Sequence, residues 1–247
     1  MPQVTVATPT EIETLFPRTV HHQPDVLGMV GSVAMHDYAA DTDNHALQAL
    51  AVEQLGAISG ELEHATCGLY SIVETALQEL GFDGLVAQKR ARVKSGRRTM
   101  TKAVGNFFAG KHDPVTDIGA IEVEFVPGVT DTETKRIAHA LQSHFGLPEV
   151  YPSGTLSIKE GGYCPEKPDD NLDSVEGYKD VKIILPLMLS GRIRVGEVKL
   201  LTAEQAVQDV HTRSKYEERR DGEFEQLKRR IGRTVLYGRF LEHHEED

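Results

Sequence analysis

The chain has 247 residues, 27 Lys and Arg against 38 Asp and Glu, a formal net charge of -11, and 39% hydrophobic residues with no tryptophan. Such a chain suits one large domain or a domain with appended helices, and its acidity excludes a broad electrostatic grip on nucleic acid, which needs a basic face. The longest apolar run, Ile183–Leu189, is far too short to span a membrane, and Cys67 and Cys164 form neither a disulfide framework nor a zinc pattern.

Charge is unevenly spread. Residues 1–80 hold eleven acidic residues and one basic residue, Arg18, whereas seven of the fifteen residues from Gln88 to Lys102 are Lys or Arg. A cationic concentration inside an anionic molecule repels itself unless something anionic sits there. The N-terminus shows no basic region followed by an apolar core, so a cytoplasmic setting is expected; a protein exported by a signal-less route would look the same.

Taken in order, Thr10-Glu11-Ile12-Glu13 reads as a capping box for a short helix ending before Pro17. Residues 17–43 lack a clear period and read as part of a loosely structured acidic lead-in, residues 1–43. Asn44 to Leu55 predicts a helix, and Ser59 is placed to cap a second one with an apolar stripe through Leu62, Leu69, Val73 and Leu77, ended by Gly81. Leu85 to Lys94 alternates as a strand. Ser95 caps a helix from Gly96 to about Phe108, in which Arg98 and Lys102, four apart, share a face.

After Asp113-Pro114, Asp117 to Val126 is a β-branched strand that opens on a carboxylate. Thr130 and Glu133 form another capping box, and Ile137, Leu141 and Phe145 give the following helix its buried face. Residues 146–176 hold one short strand, Thr155–Lys159, and a long loop. Strands at Gly177–Leu189 and Arg192–Leu201 are joined by a Ser190-Gly191 turn, and Pro186 marks an edge position or a bulge. A charged helix from Ala203 to Arg220 is separated by Gly222 from a C-terminal helix. This order predicts an α+β fold, a mixed sheet with helices packed on it. Residues 44–221 are expected to form the main domain and residues 222–247 a C-terminal helix.

Arg92, Lys94 and Lys102 as cations, with Asp117 and Glu197 as strand carboxylates, are the groups that metal-assisted phosphoryl transfer requires. Two acids hold a hard divalent cation, bases neutralise the moving phosphoryl group, and one carboxylate takes a proton from the attacking hydroxyl. No P-loop pattern is present. His21-His22 and His243-His244 read as exposed polar pairs rather than metal ligands, His211 as a hydrogen-bonded histidine, and Lys89, Arg90 and Arg97 as solvated periphery.

Arg92-Val93-Lys94-Ser95, with Lys102 eight residues after Lys94, then Asp117-Ile118-Gly119-Ala120, Gly177-Tyr178, and Gly196-Glu197 leading to Thr202, resembles the synthetase domain of RelA/SpoT-type proteins over roughly residues 60–220. The Gly177-Tyr178-Lys179-Asp180 form, and His211 followed by Tyr216-Glu217, resemble a divergent branch of that family. The resemblance implies a nucleotidyltransferase-like synthetase fold with N- and C-terminal helices. It implies transfer of pyrophosphate from ATP to the 3′-hydroxyl of GDP or GTP with Mg²⁺, giving (p)ppGpp-like alarmones. Toxic members act instead on tRNA 3′ ends or adenosine nucleotides, and a catalytically degenerate nucleotide-binding module is the third reading.

Carried over by position, Arg92, Lys94, Ser95, Arg98 and Lys102 are expected to meet ATP, Asp117 and Glu197 to hold Mg²⁺ and act catalytically, and Tyr178, Lys182 and Lys199 to meet the acceptor. Five positions depart from the family pattern. Glu122 replaces an Arg, Lys182 a His, Lys199 and Leu201 a Gln and an Arg, and Arg98 a Ser. The acidic first third disfavours tRNA, and a homo-oligomer or a neutralising partner fits the charge.

Overall fold

The computed structural model describes residues 2–110, 115–162 and 179–245. Among them a six-stranded mixed sheet carries seven helices. The elements run β1 (Thr5–Val6), α1 (Pro9–His22), α2 (Pro24–Asp41), α3 (His45–Glu79), β2 (Val86–Val93), α4 (Gly96–Phe108), β3 (Gly119–Phe125), α5 (Asp131–His144), β4 (Ile158–Gly162), β5 (Lys179–Leu189), β6 (Arg192–Leu201), α6 (Ala203–Ile231) and α7 (Arg233–Glu245). The sheet order is β1-β5-β6-β3-β2, with β4 also paired to β5. Among the described residues, only β3 and β6 pair in parallel. The α+β class read from the sequence is the class observed.

Two apolar clusters hold the fold. One lies between the sheet and α1, α3 and α5, and includes Phe16, Leu69, Val73, Leu77, Ile121, Val123, Ile137, Leu141, Ile183 and Val198. The other joins α2, α3, α4, α6 and α7 through residues such as Met29, Val33, Leu62, Met100, Val104, Phe224, Leu236 and Phe240. The sheet therefore buries one face against helices. Its opposite face carries the charged residues described below.

Several elements differ from their sequence readings. Residues 17–43 are not a loose lead-in: α1 continues through Pro17 to His22, and α2 buries Val26, Met29, Val30 and Val33. Gly28, which reads as a helix breaker, is instead a close-packing position, since a Cβ there would meet Ile58 Cδ1 at 2.9 Å. The break between the two helices falls at Gln23, which is left-handed at φ 41 and whose side-chain oxygen accepts from the Val115 N–H at 2.7 Å. The first capping box is Thr8 with Glu11, two residues before the pair expected.

Ser59 caps nothing, because α3 is continuous over 35 residues. Gly222 is likewise interior to α6, and the chain turns at Gly232, where φ is 87. A short helix of three residues, Asp83–Leu85, precedes β2, and a register shift between Val86 and Gln88 interrupts the alternation of that strand. β4 lies three residues beyond its expected start.

Other readings hold. α4, its Ser95 cap, the Thr130–Glu133 box and β6 appear where expected. The hairpin turns through Ser190 and Gly191 at φ 52 and 75, the positive pair that a two-residue hairpin prefers. Pro186 sits where β5 passes from β4 to β1. Its carbonyl accepts from the Ala7 N–H at 2.9 Å, so its missing N–H falls on that same, sparsely paired side.

Candidate functional site

Strand pairing places the charged residues in rungs across one sheet face, because directly paired residues project to the same side. One rung reads Arg92, Ala120, Glu197, Ile184 from β2 to β5. The next reads Arg90, Glu122, Lys199, Lys182, Lys159 from β2 to β4. Glu122, Glu197 and Lys199 are all buried. Only the short Ala120 separates Arg92 from Glu197.

At the end of this face the chain brings Lys94, Lys102 and Asp117 together. The Lys94 N–H donates to the Ile118 carbonyl at 2.7 Å, extending the β2–β3 ladder one residue beyond Val93. Ser95 then turns the chain into α4, its hydroxyl accepting from the Arg98 N–H at 3.4 Å. Lys102, two turns into α4, donates to Asp117 Oδ1 at 2.6 Å, while Lys94 donates to Asp117 Oδ2. Both carboxylate oxygens are thus held by ammonium groups. Gly119 keeps this strand end close to α3, since a Cβ there would meet the Thr66 hydroxyl at 2.4 Å.

The electrostatics follow from this crowding. Burial pushes the Lys94 ammonium down to about 8, a fall that Asp117 opposes and that Lys102 and Arg92 reinforce. Burial alone would raise Asp117, but Lys102 and Lys94 outweigh it and hold that carboxyl well below the usual carboxylate range. Glu197 goes the other way. Burial raises it, Lys182 pulls it down, and Asp117 raises it further, with a net upward shift. Lys182 is shifted upward: burial lowers it, but Asp180 and Glu197 outweigh the burial.

The site residues read from the sequence fall into three groups. Lys94, Lys102, Asp117, Glu197 and Lys182 share one charged neighbourhood, as their mutual influence shows. Arg92, Lys199, Arg98 and Ser95 have partners within the protein. Arg92 Nε lies 3.4 Å from Glu122, Lys199 donates to Asp209 at 2.8 Å and lies 3.7 Å from Asp180, and Arg98 approaches Asp221 at 3.9 Å. Ser95 is the helix cap. Tyr178 lies outside the described residues, as do Cys164 and the side chain of His211.

Asp180 and Asp209, which answer these cations, were given no role in the sequence reading. Asp180, buried at 2% exposure, lies 3.2 Å from Lys182 on the same strand. The signal was available, because residues two apart in a strand share a face. The peripheral cations are not merely solvated either. Lys89 pairs with Glu74 at 2.5 Å, Arg90 with Glu124 at 3.3 Å and Arg97 with Asp37 at 2.9 Å.

Among the described residues no group of three or more His, Cys, Asp or Glu could hold a metal ion. Asp117 and Glu197 are a pair, and each carboxylate next to the other is a repulsion that a hard cation relieves. A divalent cation that keeps water and phosphate oxygens in its shell needs no more than one or two protein carboxylates. The donor chemistry therefore fits Mg²⁺.

No protein-family model matches the chain, and no curated protein matches it. Solved structures do align with it. The small alarmone synthetase 2 of Bacillus subtilis aligns at 14% identity and a TM-score of 0.42, over 76% of this chain and 98% of that one. The small alarmone synthetase 1 of the same organism, bound to its product pppGpp, aligns at 14% identity and a TM-score of 0.41, over 76% and 91%. A GTP pyrophosphokinase family protein from Streptococcus pneumoniae aligns at 10% identity and a TM-score of 0.36, over 75% and 85%. At such identities only this chain's own side chains speak to its chemistry.

Proposed function

We propose that this chain transfers the diphosphate of ATP to the 3′-hydroxyl of a guanosine nucleotide, GDP or GTP. The observation that carries the reading is the half-buried Asp117 carboxylate held by Lys94 and Lys102 beside Glu197, whose own acidity is weakened. Lys94 and Lys102 are placed to leave Asp117 for incoming phosphate oxygens, exchanging one anion for another without baring a buried charge. Burial raises the Glu197 carboxyl above its ordinary value, which makes its carboxylate a stronger base toward a hydroxyl proton. The 3′-oxygen forms its new bond to the β-phosphorus of ATP, the bond from that phosphorus to the α–β bridging oxygen breaks, and AMP leaves. The hydroxyl proton passes to Glu197.

Asp117 and Glu197 are the residues that would hold Mg²⁺, which supplies positive charge to the phosphate oxygens. Lys182, whose side chain is half-buried on the charged face, is the residue proposed to meet the acceptor phosphates, and Tyr178 the one proposed to stack on its base. A second reading, nucleotide binding without turnover, is favoured by one observation. Arg92 and Lys199 are already neutralised by Glu122, Asp180 and Asp209.

The test is incubation with γ-labelled ATP and Mg²⁺, with GDP, GTP, no acceptor or tRNA in parallel, and measurement of AMP and labelled product. Labelled product and AMP in equal amounts with GDP or GTP support the proposal. Product only with tRNA, or only without an added acceptor, overturns the acceptor assignment. AMP no higher than in a Glu197→Gln control leaves the binding module as the function.

A further inference from the structure

Away from the charged sheet face, one carboxylate gathers partners from two other helices. Asp37 on α2 is buried, its side chain 6% exposed. Its Oδ1 accepts from Arg97 of α4 at 2.9 Å. Its Oδ2 accepts from the Tyr237 hydroxyl of α7 at 3.3 Å and lies 3.5 Å from the Arg233 guanidinium, which also pairs with Asp41. The His36 ring nitrogen stands 3.6 Å from Oδ1.

Arg97 belongs to the first turn of α4, between the Ser95 cap and Lys102. The same turn is pressed against α3 and α2 at Gly96, where a Cβ would meet Leu55 Cδ2 at 2.8 Å and Val33 Cγ2 at 3.5 Å. Apolar contact already joins α4 to α7, for example Phe107 against Phe240 at 5.7 Å and a right angle. Association of the two helices therefore does not need Asp37. The polar link adds direction, because a buried carboxylate left half-paired is expensive and a small rotation of either helix would leave it so.

We propose that Asp37 is a positioning residue for the phosphate site: through Arg97 it fixes the rotation of the first turn of α4, and so seats Lys94 and Lys102 on Asp117, with Tyr237 and Arg233 of α7 completing the link. The consequence for ATP rests on the function proposed above; the mechanical link does not.

Residue-resolved acylation of lysines in the folded protein, read by mass spectrometry, separates the two. In Tyr237→Phe and Arg97→Met, labelling of Lys94 and Lys102 is expected to rise about threefold or more, as a loosened contact exposes them more often. Arg97→Lys, which keeps a cation on Asp37, is expected to restore the wild-type pattern. Lys89 and Lys135, paired elsewhere with Glu74 and Glu160, are expected to stay unchanged. Unchanged Lys94 and Lys102, or an equal rise at all four lysines, overturns the proposal.

In steady state the same two loosening variants are expected to raise KM for ATP by about threefold or more while kcat stays within about twofold. A fall in kcat alone overturns the link to ATP. A wild-type protein that releases no AMP refutes diphosphate transfer, and the lysine labelling then decides the positioning role by itself.

Discussion

Glu197, buried, and Asp117, half-buried, titrate in opposite directions. Glu197 titrates above its ordinary value, so the folded protein holds its proton to higher pH than the unfolded chain does. Stability is therefore lost as pH rises from the ordinary value through the raised one, and the penalty is complete above it. Glu197→Gln is expected to melt higher than wild type at pH 8, by a margin that shrinks toward pH 4, while losing turnover. Thermal melts across that range check it, and a lower melting temperature at pH 8 contradicts it. Asp117 titrates below its ordinary value of 3.8, so it contributes stability above that pH and loses the contribution as acid protonates it. Asp117→Ala strips both lysines of their counter-charge and is expected to cost about 3 kcal/mol in denaturant unfolding at neutral pH. A cost below about 1 kcal/mol, the range of exposed ion pairs, would show that the lysines are solvated instead.

Elements defined by local chemistry were legible in the sequence, and elements defined by packing were not. Ser95 before Gly96 announces α4, and Thr130 with Glu133 announces α5, because a cap uses only neighbouring residues. α2 was hidden because Gly28 looks like a breaker until Ile58 of α3 is seen against it. Ser59 and Gly222 misled within α3 and α6, both of which run unbroken through these positions. Gly119 is the converse case, a glycine whose function shows only in space. Gly119→Ala drives a methyl into Thr66 at the strand end that carries Asp117, and is expected to destabilise the fold by about 1–3 kcal/mol. Denaturant unfolding measures it, and an unchanged midpoint would mean that α3 yields freely there.

At the scale of the whole molecule, the acidic N-terminal segment is structural. Asp37 pairs with Arg97 of the basic stretch, and Phe16, Met29 and Val30 are fully buried in the two cores. Deletion of residues 2–43 is therefore expected to abolish cooperative unfolding, and a truncated protein with a sharp transition would contradict the packing described. Among the described residues no helix is long and apolar enough to cross a membrane. The basic half of the site was legible as a charge concentration and Glu197 as a strand carboxylate, whereas Asp117, read as opening a strand, lies two residues before β3 begins at Gly119. The internal pairing of Arg92 with Glu122, and of Lys199 with Asp180 and Asp209, was not legible, because it depends on strand register and on α6 lying near β6.

The central claim is that Lys94, Lys102, Asp117 and Glu197 form one site for diphosphate transfer. Its most direct measurement is AMP release from ATP and Mg²⁺ with GDP or GTP, comparing wild type with Lys94→Ala, Asp117→Asn and Glu197→Gln. Each substitution is expected to lower kcat/KM by about a hundredfold or more, the scale of losing one pre-organised electrostatic contact. Wild-type turnover that survives unchanged in any of the three variants would contradict the account.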